Sequence, residues 1–406
     1  MKVGWVSTYD ARDLHEYSGR AYYAPQALKN QSLSIEYLGP LKMSPRERVK
    51  CAAKYRYYKY FQKKTYTRER DKSLLQDYAR QLSQKLSRLK DVDVVFSGVH
   101  AGSQPIAYLE CEQPIMLWTD ATFARGVLGF YDLYWNSYEL CQESIRDGIA
   151  NERAALNKCS LIIYSSDWAA QGAIDYYQLD PAKVKVVPFG PNFECDRTLD
   201  DIKTIVDSRP SDKCKLLFLG LDWKRKGGQV AFQVAKDLNK AGLKTELTIV
   251  GCRPDLGEPV PDFVKMMGVI SNGTPEGLNT MYQLLAESHF LIMPSLAESF
   301  GYVFCEASSF GLPSLATNVG GIPTAVKNDV NGRTFSKDAS IDEYCSYISN
   351  LFSDYSQYKQ LAISSFHEYE SRLNWSVAGK TVKNFLESNL QLKQQPNQLN
   401  LTPTPV

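Results

Sequence analysis

The chain has 406 residues, 44% of them hydrophobic, which is enough apolar material for two cores and too much length for one ordinary domain. With 47 Lys and Arg against 45 Asp and Glu, the net charge of +2 argues against a nucleic-acid binder or an acidic-substrate trap recruited by overall charge. Nine cysteines are scattered with no C-x-x-C pair and no metal-ligand spacing to the histidines, so free thiols in a reducing cytosol are expected.

Residues 3–7 form a short β-branched and aromatic run after one lysine, which predicts a strand and is too short for the apolar core of a signal peptide. Further continuous apolar runs follow at 92–97, 115–119, 161–165 and 184–187, separated by helical patterns. Continuous hydrophobicity, as opposed to alternation, marks strands buried on both faces and hence a parallel sheet covered by helices. Pro188-Phe189-Gly190-Pro191-Asn192 then interrupts regular structure, and a second series occupies 215–219, 247–250, 264–269, 289–293 and 314–316. The break predicts a join, and a hinge, between two Rossmann-like α/β halves. The expected division is 1–190, 191–373, a helix over 374–390 opened by Asn374-Trp375-Ser376, and a disordered Gln-, Asn- and Pro-rich tail over 391–406. No apolar run approaches the roughly 20 residues that span a bilayer.

In the first half, Asp120 follows a predicted strand and so lies at the carboxyl edge, where open α/β sheets bind ligands. It is a candidate acceptor-side base and equally an N-cap for the next helix. Ser18-Gly19, after the first strand, permits close backbone approach to a phosphate or sugar because glycine lacks Cβ, and Pro25 should kink a helix begun there. His100 also reaches a strand end, in a Gly/Ser loop where histidines are more often structural or exposed. Residues 46–72 hold 11 cations against Glu47, Glu69 and Asp71, interleaved with Tyr55, Tyr57, Tyr58, Tyr60, Phe61 and Tyr66. Peripheral contact with an anionic membrane, or a solvated helix packed through its tyrosines, fits this segment better than nucleic acid, which such segments also bind.

In the second half, the strand ending at Gly220 leads into LDWKRKGG, so Arg225 and Lys226 sit in a loop at the sheet's carboxyl edge. Cations there can meet charge growing on a leaving diphosphate, or be plain solvated surface. The strand over 289–293 delivers Glu298 to the same edge, and Ser299-Phe300-Gly301 opens a helix whose first N–H groups suit a phosphate. Glu306, two turns along, can accept both hydroxyls of a ribose through its two oxygens. Gly311 and Pro313 end that helix.

Glu298 and Glu306 stand in the string PSLAESFGYVFCEASSFGLP, followed by Gly320-Gly321-Ile322-Pro323 and Asn331-Gly332. In that order the segment resembles the E-x7-E signature of the retaining glycosyltransferases of family 4. The resemblance implies the GT-B fold, two Rossmann-like domains facing each other across a cleft, with the helix begun at Trp375 crossing back to the first. It implies a nucleotide-sugar donor on the second domain, held by Gly19, Lys226, Glu298, Ser299, Phe300, Gly301, Tyr302 and Glu306, and a glycan or lipid-linked acceptor on the first. Lys226-Gly227 matches the family's phosphate-binding pair. Leu221 stands where the family often carries Arg, leaving Arg225 as the substitute, and one glycine stands near position 19 where two are common. Glu298, Lys226, Arg225 and Asp120 form the expected catalytic group, with neither metal nor other cofactor, since no D-x-D pair ends a strand. A cytoplasmic enzyme of polysaccharide biosynthesis, peripheral at the inner face of the membrane, is the setting this implies. A sugar-nucleotide 2-epimerase and a catalytically silent sugar-nucleotide-binding protein on the same fold are the alternatives.

Overall fold

The computed structural model describes residues 1–14, 20–98, 105–134 and 139–394. In the first half these form strands β1 (Lys2–Val6), β2 (Ser34–Tyr37), β3 (Val94–Gly98), β4 (Ile115–Thr119), β5 (Cys159–Tyr164) and β6 (Val184–Val186). Helices α1 (Arg20–Lys29), α2 (Pro45–Arg56), α3 (Lys72–Leu86), α4 (Tyr131–Tyr134), α5 (Gln142–Lys158) and α6 (Asp167–Tyr177) cover them. The second half contributes α7 (Leu199–Ser208), β7 (Cys214–Leu219), α8 (Gly228–Lys240), β8 (Thr245–Val250), β9 (Val264–Gly268), α9 (Pro275–Glu287), β10 (Phe290–Met293) and α10 (Tyr302–Ser308). It closes with β11 (Ser314–Thr317), α11 (Ile322–Ala325), β12 (Gly332–Phe335), α12 (Ile341–Ser353), α13 (Tyr355–Arg372) and α14 (Trp375–Gln394).

Both sheets are six-stranded and parallel, in the orders β2-β1-β3-β4-β5-β6 and β12-β11-β10-β7-β8-β9. Every residue of β3, β4 and β10 is buried, as strands covered on both faces by helices require. Two strands escape a search for apolar runs, β2 (SIEY) and β12 (GRTF). Both are short edge strands without a continuous apolar run, Phe335 of β12 being the one buried apolar side chain between them.

The second sheet starts in its middle. From β7 the chain moves outward through β8 and β9, then returns to β10 on the other side of β7 and continues to β11 and β12. Loops leaving β7 and β10 therefore diverge, opening a crevice at their carboxyl ends. In the first sheet the corresponding reversal lies between β1 and β3. Gly19 and His100, in the loops there, lie outside the described residues.

Pro25 sits inside α1 and removes one backbone donor, yet the helix passes through it, with Ala24, Ala27 and Leu28 buried. Asn374 caps α14 by accepting the Val377 N–H at 2.9 Å. This last helix lies on the first domain: Ser160 Oγ donates to Asn389 Oδ1 at 3.0 Å, Asn389 Nδ2 returns a bond to the Ser160 carbonyl at 3.2 Å, and the Lys383 ammonium donates to the Gln31 carbonyl at 3.1 Å. It runs to Gln394, into the segment expected as tail, and residues 395–406 lie outside the described ones.

The join at 188–192 is packed where a loose hinge was expected. Phe189 is fully buried, stacked on Tyr302 with centroids 5.3 Å apart, and it touches Phe300, Trp118 and Trp375 at 5.5–5.6 Å. These rings come from both domains and from α14, so the proline-rich segment is held by aromatic packing that outweighs its irregular backbone. The Trp375 indole N–H closes the cluster on the Pro191 carbonyl at 2.6 Å. Trp375→Ala should therefore cost about 2–4 kcal/mol of stability, a partly exposed version of a buried Trp truncation. Denaturant unfolding measures this, and a loss below about 0.5 kcal/mol would contradict the role given to the cluster.

Candidate functional site

The loop from β7 to α8 is shaped by Asp222, whose carboxylate accepts the Arg225 N–H and whose carbonyl accepts the Lys226 N–H, both at 3.0 Å. Gly227 then takes φ +73°, and a Cβ there would stand 1.9 Å from the Pro294 carbonyl oxygen. Only glycine fits on both counts. Its bare backbone lets this loop press on the one leaving β10, and the Lys226 ammonium reaches Glu298 Oε2 in an ion pair whose side chains are 13% and 12% exposed. Arg225 fastens the same two loops: its guanidinium donates to the Ala297 carbonyl at 3.2 Å and pairs with Asp222 at 3.4 Å, while its own carbonyl accepts the Leu296 N–H at 2.7 Å. At an effective dielectric near 20 a contact ion pair gains about 4 kcal/mol, set against a desolvation cost of several kcal/mol per ion. The pair is thus near balance, and an incoming anion can compete for Lys226.

Beyond Glu298 the backbone is gripped from both domains. Gly321 N–H donates to the Glu298 carbonyl at 3.0 Å, and Ser166 Oγ, at the start of α6, donates to the Ser299 carbonyl at 3.3 Å. Next to it the Asp167 N–H donates to Thr324 Oγ1 at 3.0 Å, and that hydroxyl donates to the Asp167 carboxylate at 2.8 Å. Phe300 and Tyr302 point into the aromatic cluster, with Gly301 at φ +89° turning the chain into α10 between them.

Glu306 is buried in α10 and accepts the Asn192 N–H at 3.3 Å. Burial pushes its carboxyl up to about 7, against the pull of that bond. It lines a cavity of about 400 Å³ whose other walls are the loops after β7 (Gly220, Leu221), β8 (Gly251) and β9 (residues 269–273), closed by Asn192 and by Leu14 of the first domain. The Lys226 stem packs on Gly220, so the ion pair stands at the edge of the cavity that holds Glu306. Among the described residues, the shielded oxygens Asn192 Oδ1 and Asn272 Oδ1 have no hydrogen-bond partner, although both residues line this space. A ligand that donates hydrogen bonds there would satisfy acceptors the protein leaves open.

Asp120 is half-buried directly after β4. The capping role open to it belongs to Thr122, whose side chain accepts the Arg125 N–H at 3.0 Å. The following turn, Phe123–Leu128, is fixed by Glu152, which accepts the Phe123 N–H at 2.7 Å and the Tyr177 hydroxyl, and by the Arg70 guanidinium 3.7 Å over the Phe123 ring. Gly126 of this turn lies against Ser299, which brings the Asp120 loop to the Glu298 side of the crevice. The structure thus brings the expected residues Lys226, Glu298 and Glu306 to one crevice. Asn192, Gly251 and residues 269–273 line the same cavity and were not among the expected residues; their only signals in the sequence are Gly, Ser and Asn after predicted strands.

Residues 213–354 match the family model "Glycosyl transferases group 1". Over that span, which is less than half of the chain, the protein is similar to the group 1 glycosyl transferases. D-inositol 3-phosphate glycosyltransferase of Mycobacterium marinum is 26% identical over 209 residues, 49% of this chain and 44% of that protein. The chain spans about half the length of the curated relatives it matches. Over nearly the whole chain the fold is that of GT-B enzymes. A glycosyltransferase from Rickettsia africae superposes with TM-score 0.62 at 14% identity, covering 96% of this chain and 98% of that one. Anabaena HepE, solved with UDP and glucose, gives TM-score 0.58 at 15% identity over 96% of this chain and 100% of its own. The matched region contains β7 through β12, and with them Lys226, Glu298 and Glu306.

Glu306 holds its proton up to about pH 7 in the folded chain and ionises near 4.5 when unfolded. The folded state therefore binds the extra proton, and the associated stability is complete below about pH 4.5 and lost as pH rises through about 7. Glu306→Gln, which cannot ionise, should flatten the decline in melting temperature between pH 5 and 8 relative to the parent. Identical pH profiles for the two proteins would contradict the assignment.

Proposed function

We propose that this protein is a retaining glycosyltransferase that moves a sugar from a nucleotide-sugar donor to a hydroxyl of a glycan, lipid-linked or other acceptor. The observation that carries the reading is the convergence, at the reversal point of the second sheet, of Glu306 inside a cavity of about 400 Å³ and the Lys226–Glu298 pair at its edge. The nucleoside lies against the loops after β8 and β9. Glu306 accepts the ribose hydroxyls, which only the ionised carboxylate can do at both oxygens, so donor binding tightens as pH rises through about 7.

Lys226 leaves its contact with Glu298 to meet the donor diphosphate, while Glu298 and the backbone of 299–302 face the sugar. As the anomeric C–O bond breaks, its electron pair passes to the phosphate oxygen, and the positive charge of Lys226 offsets the growing negative charge. The acceptor oxygen bonds to the anomeric carbon from the same face, its proton goes to the departing phosphate, and the anomeric configuration is kept. Asp120 positions the acceptor from the first domain, and Arg225 acts mainly by fixing the two loops. The reading assigns the phosphate charge to these side chains and no metal or further cofactor to the reaction. Since HepE was solved with UDP and glucose, UDP-hexoses are the first donors to try.

Lys226→Ala should lower turnover by about 10²-fold or more, the scale of losing one preorganised transition-state contact. It should also cost roughly 1–3 kcal/mol of stability, because Glu298 is left with less compensation in a mostly buried position. Steady-state transfer assays and NMR of the new linkage test both parts. Turnover equal to the parent's, or a product of inverted configuration, would reject the mechanism.

A further inference from the structure

The structure sorts the cations of residues 46–72 into two sets. Lys54 is turned inward, 2.5 Å from both Asp71 and Glu143, Lys50 reaches Ser73 and Asp71, Lys64 pairs with Glu139, and Arg70 is buried under Phe123. The other set is exposed: Arg46, Arg48, Arg56, Lys59, Lys63 and Lys72, together with Arg68, which pairs with Glu69 at 2.9 Å. Glu47, the single carboxylate between 45 and 68, is buried, and the nearby Glu69 and Glu139 stand against Arg68 and Lys64, so positive charge predominates on this face.

Large apolar side chains share that face. Val49 is 71% exposed, Tyr60 59% and Phe61 80%, with Tyr55 and Tyr57 near half. After Arg56 the helix widens into a π-helical turn, Tyr57–Gln62, closed by Lys63 in the left-handed region. Tyr58 anchors the turn from below, its hydroxyl on Glu143 at 3.0 Å and its ring stacked on Tyr66. The remaining rings are thereby presented outward, with Tyr57 against Phe61 at 6.1 Å and Lys59 within 6 Å of both Tyr55 and Tyr60. Exposed aromatics grouped with exposed cations on a preformed surface match the boundary of a bilayer, where rings settle at headgroup level and cations near phosphates. Among the described residues no helix is long and apolar enough to cross a membrane.

Two cavities lie behind the face. One of about 530 Å³ is lined by Tyr55, Tyr60, Arg48 and Arg68, and a second of about 410 Å³ shares those two arginines and reaches Thr8 and Tyr9 after β1. The same loop continues to Leu14 at the cavity holding Glu306. We infer that the face formed by α2 and the turn at 57–62 docks on an anionic lipid bilayer, setting the first-domain side of the crevice against the membrane. That orientation serves a lipid-borne acceptor, a clause that rests on the transferase reading, whereas the docking itself does not.

Flotation of the full chain with vesicles of phosphatidylcholine, alone or with one-third phosphatidylglycerol, tests it. Binding should require phosphatidylglycerol, weaken as salt is raised, and fall at least 10-fold both in Tyr57→Ser/Phe61→Ser and in Arg56→Gln/Lys59→Gln/Lys63→Gln. The shift in melting temperature caused by UDP-glucose is followed in the same variants and should be unchanged, which separates loss of docking from loss of fold or donor site. No binding to the anionic vesicles, binding insensitive to both variants, or binding to single-stranded RNA in place of vesicles would overturn the inference.

Discussion

One steric constraint governs the second domain: the loop from β7 has to lie directly on the loop from β10. Gly227 permits this, because any side chain would collide with the Pro294 carbonyl. From that contact follow the Lys226–Glu298 pair, the Arg225 bond to Ala297 and the course of the chain into α10. The chemistry of the Lys-Gly pair is therefore divided. Lysine supplies the charge, and glycine supplies the approach that puts the charge beside a carboxylate.

A second layer ties the site to the whole molecule. Glu306 is bonded to Asn192, Asn192 follows the buried Phe189, and Phe189 is wedged among Trp118, Phe300, Tyr302 and Trp375. The carboxylate that lines the cavity thus sits on the seam between the domains. Its burial raises its proton affinity, so the energetic state of this residue depends on how tightly the seam is packed. On the first domain Glu152 is likewise pushed up to about 7 by burial while it holds the Phe123 turn, placing a second sensitive carboxyl under the loop that carries Asp120.

Much of this was legible in the residues. Ten strands announced themselves as continuous apolar runs, the inner ones because they are covered on both faces, and the edge strands β6 and β9 through their valines and methionines. The two that did not, β2 and β12, are sheet edges held by backbone pairing, for which SIEY and GRTF give no hydrophobic signal. Lys226 and Glu298 drew attention because each follows a predicted strand, and Glu306 because of its spacing from Glu298. Asn192 was hidden, since it contributes a backbone N–H from a segment whose prolines and glycine speak only of irregularity. The loop at 269–273 was hidden too: its residues, VISNG, carry no charge, and composition does not record where a loop lies. The split among the cations of residues 46–72 was beyond reach too, as it depends on where Asp71 and Glu143 lie in the fold.

The central claim is that one pocket, floored by Glu306 and edged by Lys226, holds a nucleoside diphosphate. A crystal structure of the protein with the nucleoside diphosphate that most raises its melting temperature measures this directly. The account predicts density between Gly251 and the 269–273 loop, with ribose hydroxyls on Glu306 and a phosphate within reach of Lys226. Density in another cavity, or a ribose turned away from Glu306, would contradict it.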